Sequence, residues 1–382
     1  MWSFHNPVSL HAGAGALAHL PTLLGARRAI LIAFPEAEAL GLVSRVRALL
    51  GNRLVAVESA VPSNPDVCWL MPLYERLWRD HADAECVVAL GGGSTLDCAK
   101  AMLTRGARGR FRALLTDPSL ATTLQAERHR RLIAIPTTAG TGSEVTPWAT
   151  LWDHAGACKH SLHLPWTWPE AAIIDAGLMQ SLPHDATLAS GLDALSHALE
   201  SLWNRHRNPV SALLAVSAAR SIMATLPALL REPARVELRE RMALAALQAG
   251  LAFSNTRTSL AHALSYEITL RQGTPHGIAC SFSLPHVMAL AFGRDTVLDQ
   301  QLCAIFDAAS PPDALARLES FLAAVGVSTD PAHYGIPPAQ WNPRIDQALS
   351  SARGRNFIGA GHPAPLTAVT PPTSHRTSQE SP

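Results

Sequence analysis

Apolar residues in the first half of the chain fall in short unbroken runs that stop at turn residues. AILIAF (29–34) precedes Pro35, CVVAL (86–90) precedes Gly91, RLIAI (131–135) precedes Pro136 and AAIID (171–175) precedes Gly177. Each run has strand length, and helical patterns lie between several of them. Continuous apolar strands alternating with helices predict a parallel sheet buried on both faces. From about residue 184 the spacing becomes helical, with Ala- and Leu-rich stretches at 186–203, 209–231, 236–253 and 258–270. The pattern predicts an α/β unit over 1–182 and an all-α unit over 183–361, divided near Leu182–His184. A tail over 362–382, rich in Pro, Thr and Ser, is expected to be disordered.

Composition narrows the class. Hydrophobic residues make up 48% of the 382 residues and charged residues 16%, which excludes a disordered chain and suits two domains. A net charge of +1 gives no reason to expect a nucleic acid or an anionic membrane as partner. The six cysteines are scattered with no CxxC pair, as in a reduced cytoplasmic protein. The N-terminal MWSFHNPVSL lacks the pattern of a signal peptide. The longest apolar tract, near 212–230, is interrupted by Arg220 and Pro227 and is not expected to span a bilayer.

Two loops carry candidate nucleotide chemistry. CVVALGGGSTLDCAK (86–100) is a strand, three glycines and a helix start. Glycines let a ligand approach the backbone, and a helix N-terminus offers free N–H groups to a phosphate. A ligand-free tight turn reads the same locally. IPTTAGTGSEVTPWA (135–149) follows a second strand with hydroxyls at Thr137, Thr138, Thr141, Ser143 and Thr146. Two such loops at strand ends of one sheet favour a shared ligand. Lys159 is a candidate for a positive charge or a ribose contact, or a solvated surface lysine.

SGLDALSHALE (190–200) raises a different question, because Asp193 and His197 lie four apart within an apolar helix. At that spacing both side chains emerge on one face. His262 in SLAHALSYEI and His276 in GTPHGIA supply two more imidazoles. One carboxylate and three imidazoles suit iron(II) or zinc. The alternative for each is a core residue with its own buried partner.

Taken together, GGGSTLDCAK, PTTAGTGSEVTPWA, KHSL, GLDALSHALES and PHG resemble the iron-containing (group III) alcohol dehydrogenases, in that family's order and near its spacing. The resemblance spans roughly residues 5–300, with an echo at GRNFIG (354–359). It implies a Rossmann-like nucleotide-binding domain, a helical metal domain of the dehydroquinate-synthase-like fold, and an active site between them. It also implies NAD(P)-dependent interconversion of an alcohol and a carbonyl compound, and a homodimer. Carried over position by position, Asp193, His197, His262 and His276 become metal ligands. Gly91, Gly92, Gly93, Ser94, Asp97, Thr137, Thr138, Thr141, Ser143 and Lys159 become cofactor positions.

There are two departures from the family pattern. Where many members carry a second histidine four residues after the third ligand, this chain has Tyr266, either a proton donor or a packing residue. Phe34 stands where NAD-preferring members often carry Asp, which leaves NADH and NADPH both open. AHALSY and NFIG resemble the phosphonoacetaldehyde reductase branch, which makes 2-hydroxyethylphosphonate. Arg257 is then the candidate cation for a phosphonate, or else an ordinary surface arginine. Alternatives are action on a short alcohol, lactaldehyde or a maleylacetate-like keto acid, or a sugar-phosphate cyclase, against which TTAGTGSE argues. A non-enzymatic scaffold is disfavoured because all four ligand positions are filled.

Overall fold

A computed structural model describes residues 1–105, 111–116, 129–156 and 158–361; the tail expected to be disordered, 362–382, lies outside them. Six strands form a parallel sheet in the order β1-β8-β5-β4-β2-β3. They are β1 (Ser9–Ala12), β2 (Ala29–Ala33), β3 (Leu54–Glu58), β4 (Cys86–Gly91), β5 (Arg131–Pro136) and β8 (Ala171–Ile174). The remaining two strands, β6 (Trp148–Asp153) and β7 (Cys158–His163), pair as a separate antiparallel hairpin.

The four apolar runs are the inner strands. Every residue of β2, β4 and β8 is buried, and β5 is exposed only at Arg131. Alternate residues serve opposite faces, as the strand period of two requires. Ile30, Ile32, Val87 and Ala89 pack under one helical layer, and Leu31, Ala33, Val88 and Leu90 under the other. Shortening Leu31 or Leu90 to Ala removes contacts in a closed core and costs about 2–5 kcal/mol. Chain order reverses between β2 and β4, so the loop after β4 opens at the switch point where open α/β sheets take ligands.

The second half is helical. His184–Leu202, Pro209–Arg231 and Val236–Thr256 pack on one another, and Leu260–Gln272 and the short His276–Ser281 close against the first of them. Pro209–Arg231 is long and apolar enough to cross a membrane by length and composition alone, but it is a helix of the core, in keeping with the expectation that this tract does not span a bilayer. Arg220 and Pro227 do not break it, since Arg220 reaches outward to Asp307. Its Ala215, Ala218, Ala219, Ile222 and Leu226 belong to the helical core.

From Gly191 through Leu202 every residue of the first helix is buried. Its polar side chains therefore need partners inside the protein. Ser196 meets Ser281 at 3.0 Å, and the Ser201 hydroxyl donates to the His197 carbonyl at 2.7 Å. Close approach of the His276 helix depends on Gly277, where a Cβ would collide with the Ala189 carbonyl.

Candidate active site

A cavity of about 1060 Å³ lies between the carboxyl ends of the strands and the helical half. Of the residues singled out in the sequence, it is lined by Gly92, Gly93, Ser94, Asp97, Thr137, Thr138, Thr141, Ser143, Lys159, Asp193, His197, Arg257, His262 and His276. Gly91 and Tyr266 do not line it: Gly91 ends β4, and Tyr266 stands behind the wall.

On the sheet side the loop backbones make the concave surface. Gly93 opens the helix after β4, and a Cβ there would fall 2.7 Å from Thr141 Cγ2. The glycine thus lets the two loops meet. Behind them is a closed network. Ser143 donates to Asp97 Oδ1 at 2.6 Å and accepts from Lys100 Nζ at 2.7 Å, while Asp97 Oδ2 accepts from the Thr150 N–H at 2.7 Å. Asp97 and Ser143 are thereby bonded inward, tying both loops to the hairpin. Burial pushes Lys100 down to about 8 and the neighbouring Glu144 carboxyl up to about 7.

On the helical side the four donors converge. Asp193 Oδ1 is 3.4 Å from His262 Nε2 and 3.8 Å from His197 Nε2. The His197 and His262 rings stack at 4.7 Å, and His262 meets His276 edge-on at 5.4 Å. Their outer nitrogens are engaged elsewhere. His197 Nδ1 lies 3.3 Å from the Gly140 carbonyl, and His262 Nδ1 lies 2.7 Å from Glu200 Oε2. Such contacts fix the rings so that Nε2 faces inward. Phe253 stacks on the other face of His197 at 4.1 Å.

Glu200, which the sequence motifs do not mark as functional, completes the cluster. It is fully buried and accepts from the Ser259, Ala261 and His262 backbone N–H groups as well as from His262 Nδ1. Its carboxylate caps the N-terminus of the His262 helix while holding the imidazole. The signal was present: Glu200 falls seven residues after Asp193, on the same helical face.

The cluster has the chemistry of a metal site. Asp193 Oδ1 and His262 Nε2 are buried and make no hydrogen bond. Two orphaned polar atoms facing each other are costly unless a cation satisfies both. Burial opposes charge on Asp193, but His197 and His262 outweigh it and hold the carboxyl well below its usual range. Burial pushes the His197 imidazole down to about 4. The ionised Asp193 carboxylate and the neutral His197 imidazole are ligand forms a divalent metal takes. At His262 burial is outweighed by Cys280 and Glu200, which hold that imidazole well above its ordinary value, so a metal there displaces a proton.

Three cations ring the same cavity: Lys159, Arg257 and Arg353. None of them forms an ion pair among the described residues. Arg257 holds φ 67° at the end of its helix, a left-handed conformation uncommon for a side-chain-bearing residue. Arg353 Nη1 donates to Thr258 Oγ1 at 2.9 Å. Lys159 Nζ lies 4.0 Å and Arg353 Cζ 4.9 Å from the centre of the Tyr266 ring, which is parallel to that of His276. Its hydroxyl is buried without a hydrogen-bond partner. The GRNFIG segment carries Arg353 to the wall, anchored by Ile358 N–H to the Trp203 carbonyl at 2.9 Å and Asn356 Nδ2 to the Thr258 carbonyl at 2.9 Å.

A dinucleotide-type sheet facing a buried carboxylate–imidazole cluster across one cavity defines a candidate metal-dependent enzyme with a nucleotide cofactor. The comparisons agree. Residues 7–176 match the iron-containing alcohol dehydrogenase family, and residues 187–362 match the C-terminal part of the Fe-containing alcohol dehydrogenase family. The chain belongs to the iron-containing alcohol dehydrogenases, enzymes that interconvert alcohols and aldehydes with a nicotinamide cofactor and a divalent metal. It is 29% identical over 349 residues to the NAD-dependent methanol dehydrogenase of Bacillus methanolicus, covering 88% of this chain and 90% of that protein. It is 34% identical over 233 residues to the phosphonoacetaldehyde reductase of Streptomyces viridochromogenes, covering 59% and 57%. Its fold superposes on that of sulfoacetaldehyde reductase from Bifidobacterium kashiwanohense, solved in complex with NAD+, with a TM-score of 0.82, 27% identity and 94% of each chain covered.

Proposed function

We propose that the protein reduces a small anionic aldehyde, and that phosphonoacetaldehyde, reduced to 2-hydroxyethylphosphonate, is the substrate its cavity fits best. The observation that carries this is the trio Lys159, Arg257 and Arg353, uncompensated by carboxylates and grouped around the cavity that holds the donor cluster. Lys159 can serve the anionic cofactor held in the same cavity, which leaves Arg257 and Arg353 for the substrate, and a phosphonate offers oxygens that an arginine fork engages in pairs.

In this reading Asp193, His197, His262 and His276 hold the metal, while the backbone at Gly91, Gly92 and Gly93 and the side chains of Ser94, Thr137, Thr138 and Thr141 cradle the cofactor. Asp97 and Ser143 hold the two loops together from behind. When bound, the nicotinamide supplies a hydride and the divalent ion supplies Lewis acidity. Arg257 and Arg353 grip the anionic end and so fix which carbon faces the cofactor. Tyr266 positions Lys159 and Arg353 through its ring. Phe253 and Trp148, stacked 6.3 Å apart, wall the site off from water. The residue ranges 1–182 and 183–361 act as the nucleotide and metal domains. The protein is read as a cytoplasmic homodimer, for which light scattering is expected to return twice the chain mass of 40.7 kDa.

Sulfonates share this chemistry, and the likeness to sulfoacetaldehyde reductase favours sulfoacetaldehyde as a second candidate. The test is oxidation of NADH and NADPH by protein loaded anaerobically with iron(II) or zinc, with phosphonoacetaldehyde, sulfoacetaldehyde, propanal and lactaldehyde in parallel. Preference for phosphonoacetaldehyde supports the proposal. Preference for sulfoacetaldehyde keeps the anionic class and changes the acid group. Equal or faster turnover of the uncharged aldehydes overturns it.

A further inference from the structure

We infer that Cys280 is a direct ligand of the metal held by the donor cluster, giving the site a sulfur donor that favours zinc over iron(II). The inference rests on the metal-site reading and goes beyond it, since that reading uses oxygen and nitrogen donors alone. Cys280 is fully buried on the His276 helix, four residues after His276 and so on the same face. Its Sγ lies 3.6 Å from His276 Nε2. Donor atoms from Asp193, His262, His276 and Cys280 all lie within 4.8 Å of one another.

The separations match shared coordination. The mutually close set omits His197, so a four-coordinate zinc would take Cys280 in its place; bonds of about 2.3 Å to sulfur and 2.0–2.1 Å to nitrogen then set those two donors about 3.5 Å apart. Replacing sulfur by a carboxylate oxygen gives about 3.4 Å to nitrogen. The His276–Cys280 separation is 3.6 Å and the Asp193–His262 separation is 3.4 Å. The orphaned Asp193 Oδ1 and His262 Nε2 are a second, independent sign that this cluster takes a cation. Thiolate is a soft donor, and adding one to a carboxylate–imidazole set shifts preference toward zinc.

The test uses cobalt(II), which reports its ligands optically. Asp153, Cys158 and His160 form another possible metal group, and Cys68 and Cys158 are exposed, so both cysteines are first replaced by Ala. Chelated protein in that background is titrated with cobalt(II) under anaerobic conditions. Expected are visible d–d bands and an intense near-ultraviolet sulfur-to-cobalt charge-transfer band. Cys280→Ser, shown folded by circular dichroism, keeps the d–d bands, loses the near-ultraviolet band, and binds zinc about 10- to 100-fold more weakly with a smaller change for iron(II). If the d–d bands form without the charge-transfer band, or the band survives in both Cys280→Ser and Cys280→Ala, Cys280 is not a ligand although the metal site stands. If no cobalt binds, both this inference and the metal-site reading fall.

Discussion

The two walls of the cavity each bury a cluster of charged groups, and the clusters differ in one respect. On the sheet side, Asp97, Ser143, Lys100 and Thr150 close on one another: each Asp97 oxygen has a donor and the Lys100 ammonium has two acceptors. On the helical side, Glu200 is saturated, but Asp193 Oδ1 and His262 Nε2, 3.4 Å apart, are both buried without a hydrogen-bond partner. The closed cluster is architecture that locks two loops to a hairpin. The open one is a receptor, since burying two polar atoms unpaired costs stability that a bound cation returns. Burial and charge alone do not separate architecture from chemistry; whether the hydrogen-bond valences are filled does.

That contrast is most severely tested from the open side. Asp193→Asn removes the anionic ligand while keeping the shape, and is expected to abolish stoichiometric metal binding and lower kcat/KM by about 10³-fold or more. Metal analysis of the purified variant beside its steady-state rates checks this. Glu200→Gln leaves the ligands in place but weakens the group that orients His262. It is expected to reduce metal affinity about 10- to 100-fold, measured by competition with a chelator, with kcat largely restored at saturating metal.

Arg353→Ala sharpens the account of what the open wall receives. Losing a charge-assisted contact worth about 1.5–3 kcal/mol raises KM for phosphonoacetaldehyde about 10- to 100-fold, while rates with propanal stay within about twofold. The closed wall yields the smallest effect. Glu144 is protonated in the folded protein up to about pH 7, against an ordinary value of 4.5. Between those values the native state binds the extra proton, so this group's contribution to stability is present below pH 4.5 and is lost as pH rises through 7. Glu144→Gln is expected to flatten the fall in melting temperature across that window, followed by thermal denaturation at several pH values.

The same contrast explains what could be foreseen from sequence. β2, β4, β5 and β8 were legible because strands buried on both faces leave continuous apolar runs. The mostly exposed edge strand β1 (SLHA) leaves no such run, the half-buried edge strand β3 (LVAVE) leaves only the four apolar residues 54–57, and the β6–β7 hairpin mixes polar and apolar residues in both strands. Asp193, His197, His262 and His276 stood out as polar residues in apolar helices, and they do converge. Glu200 obeys the same spacing, but its partners are backbone N–H groups of a helix sixty residues on, which no local pattern displays. Arg353 was invisible for a similar reason, since only the anchoring of Asn356 and Ile358 brings it beside Tyr266. Asp97 and Ser143 were placed at the cofactor because their loop is there; their side chains line the cavity yet spend their hydrogen bonds behind it.

The central claim is that the orphaned pair on the helical wall exists to be filled by a divalent cation. Its most direct test is thermal unfolding of chelated protein titrated with zinc, for the wild-type chain and Asp193→Asn side by side. The account predicts a melting temperature that climbs with zinc concentration in the wild type, as ligand binding to the folded state requires, and stays level in Asp193→Asn. A level response in the wild type, or an equal climb in both proteins, would contradict it.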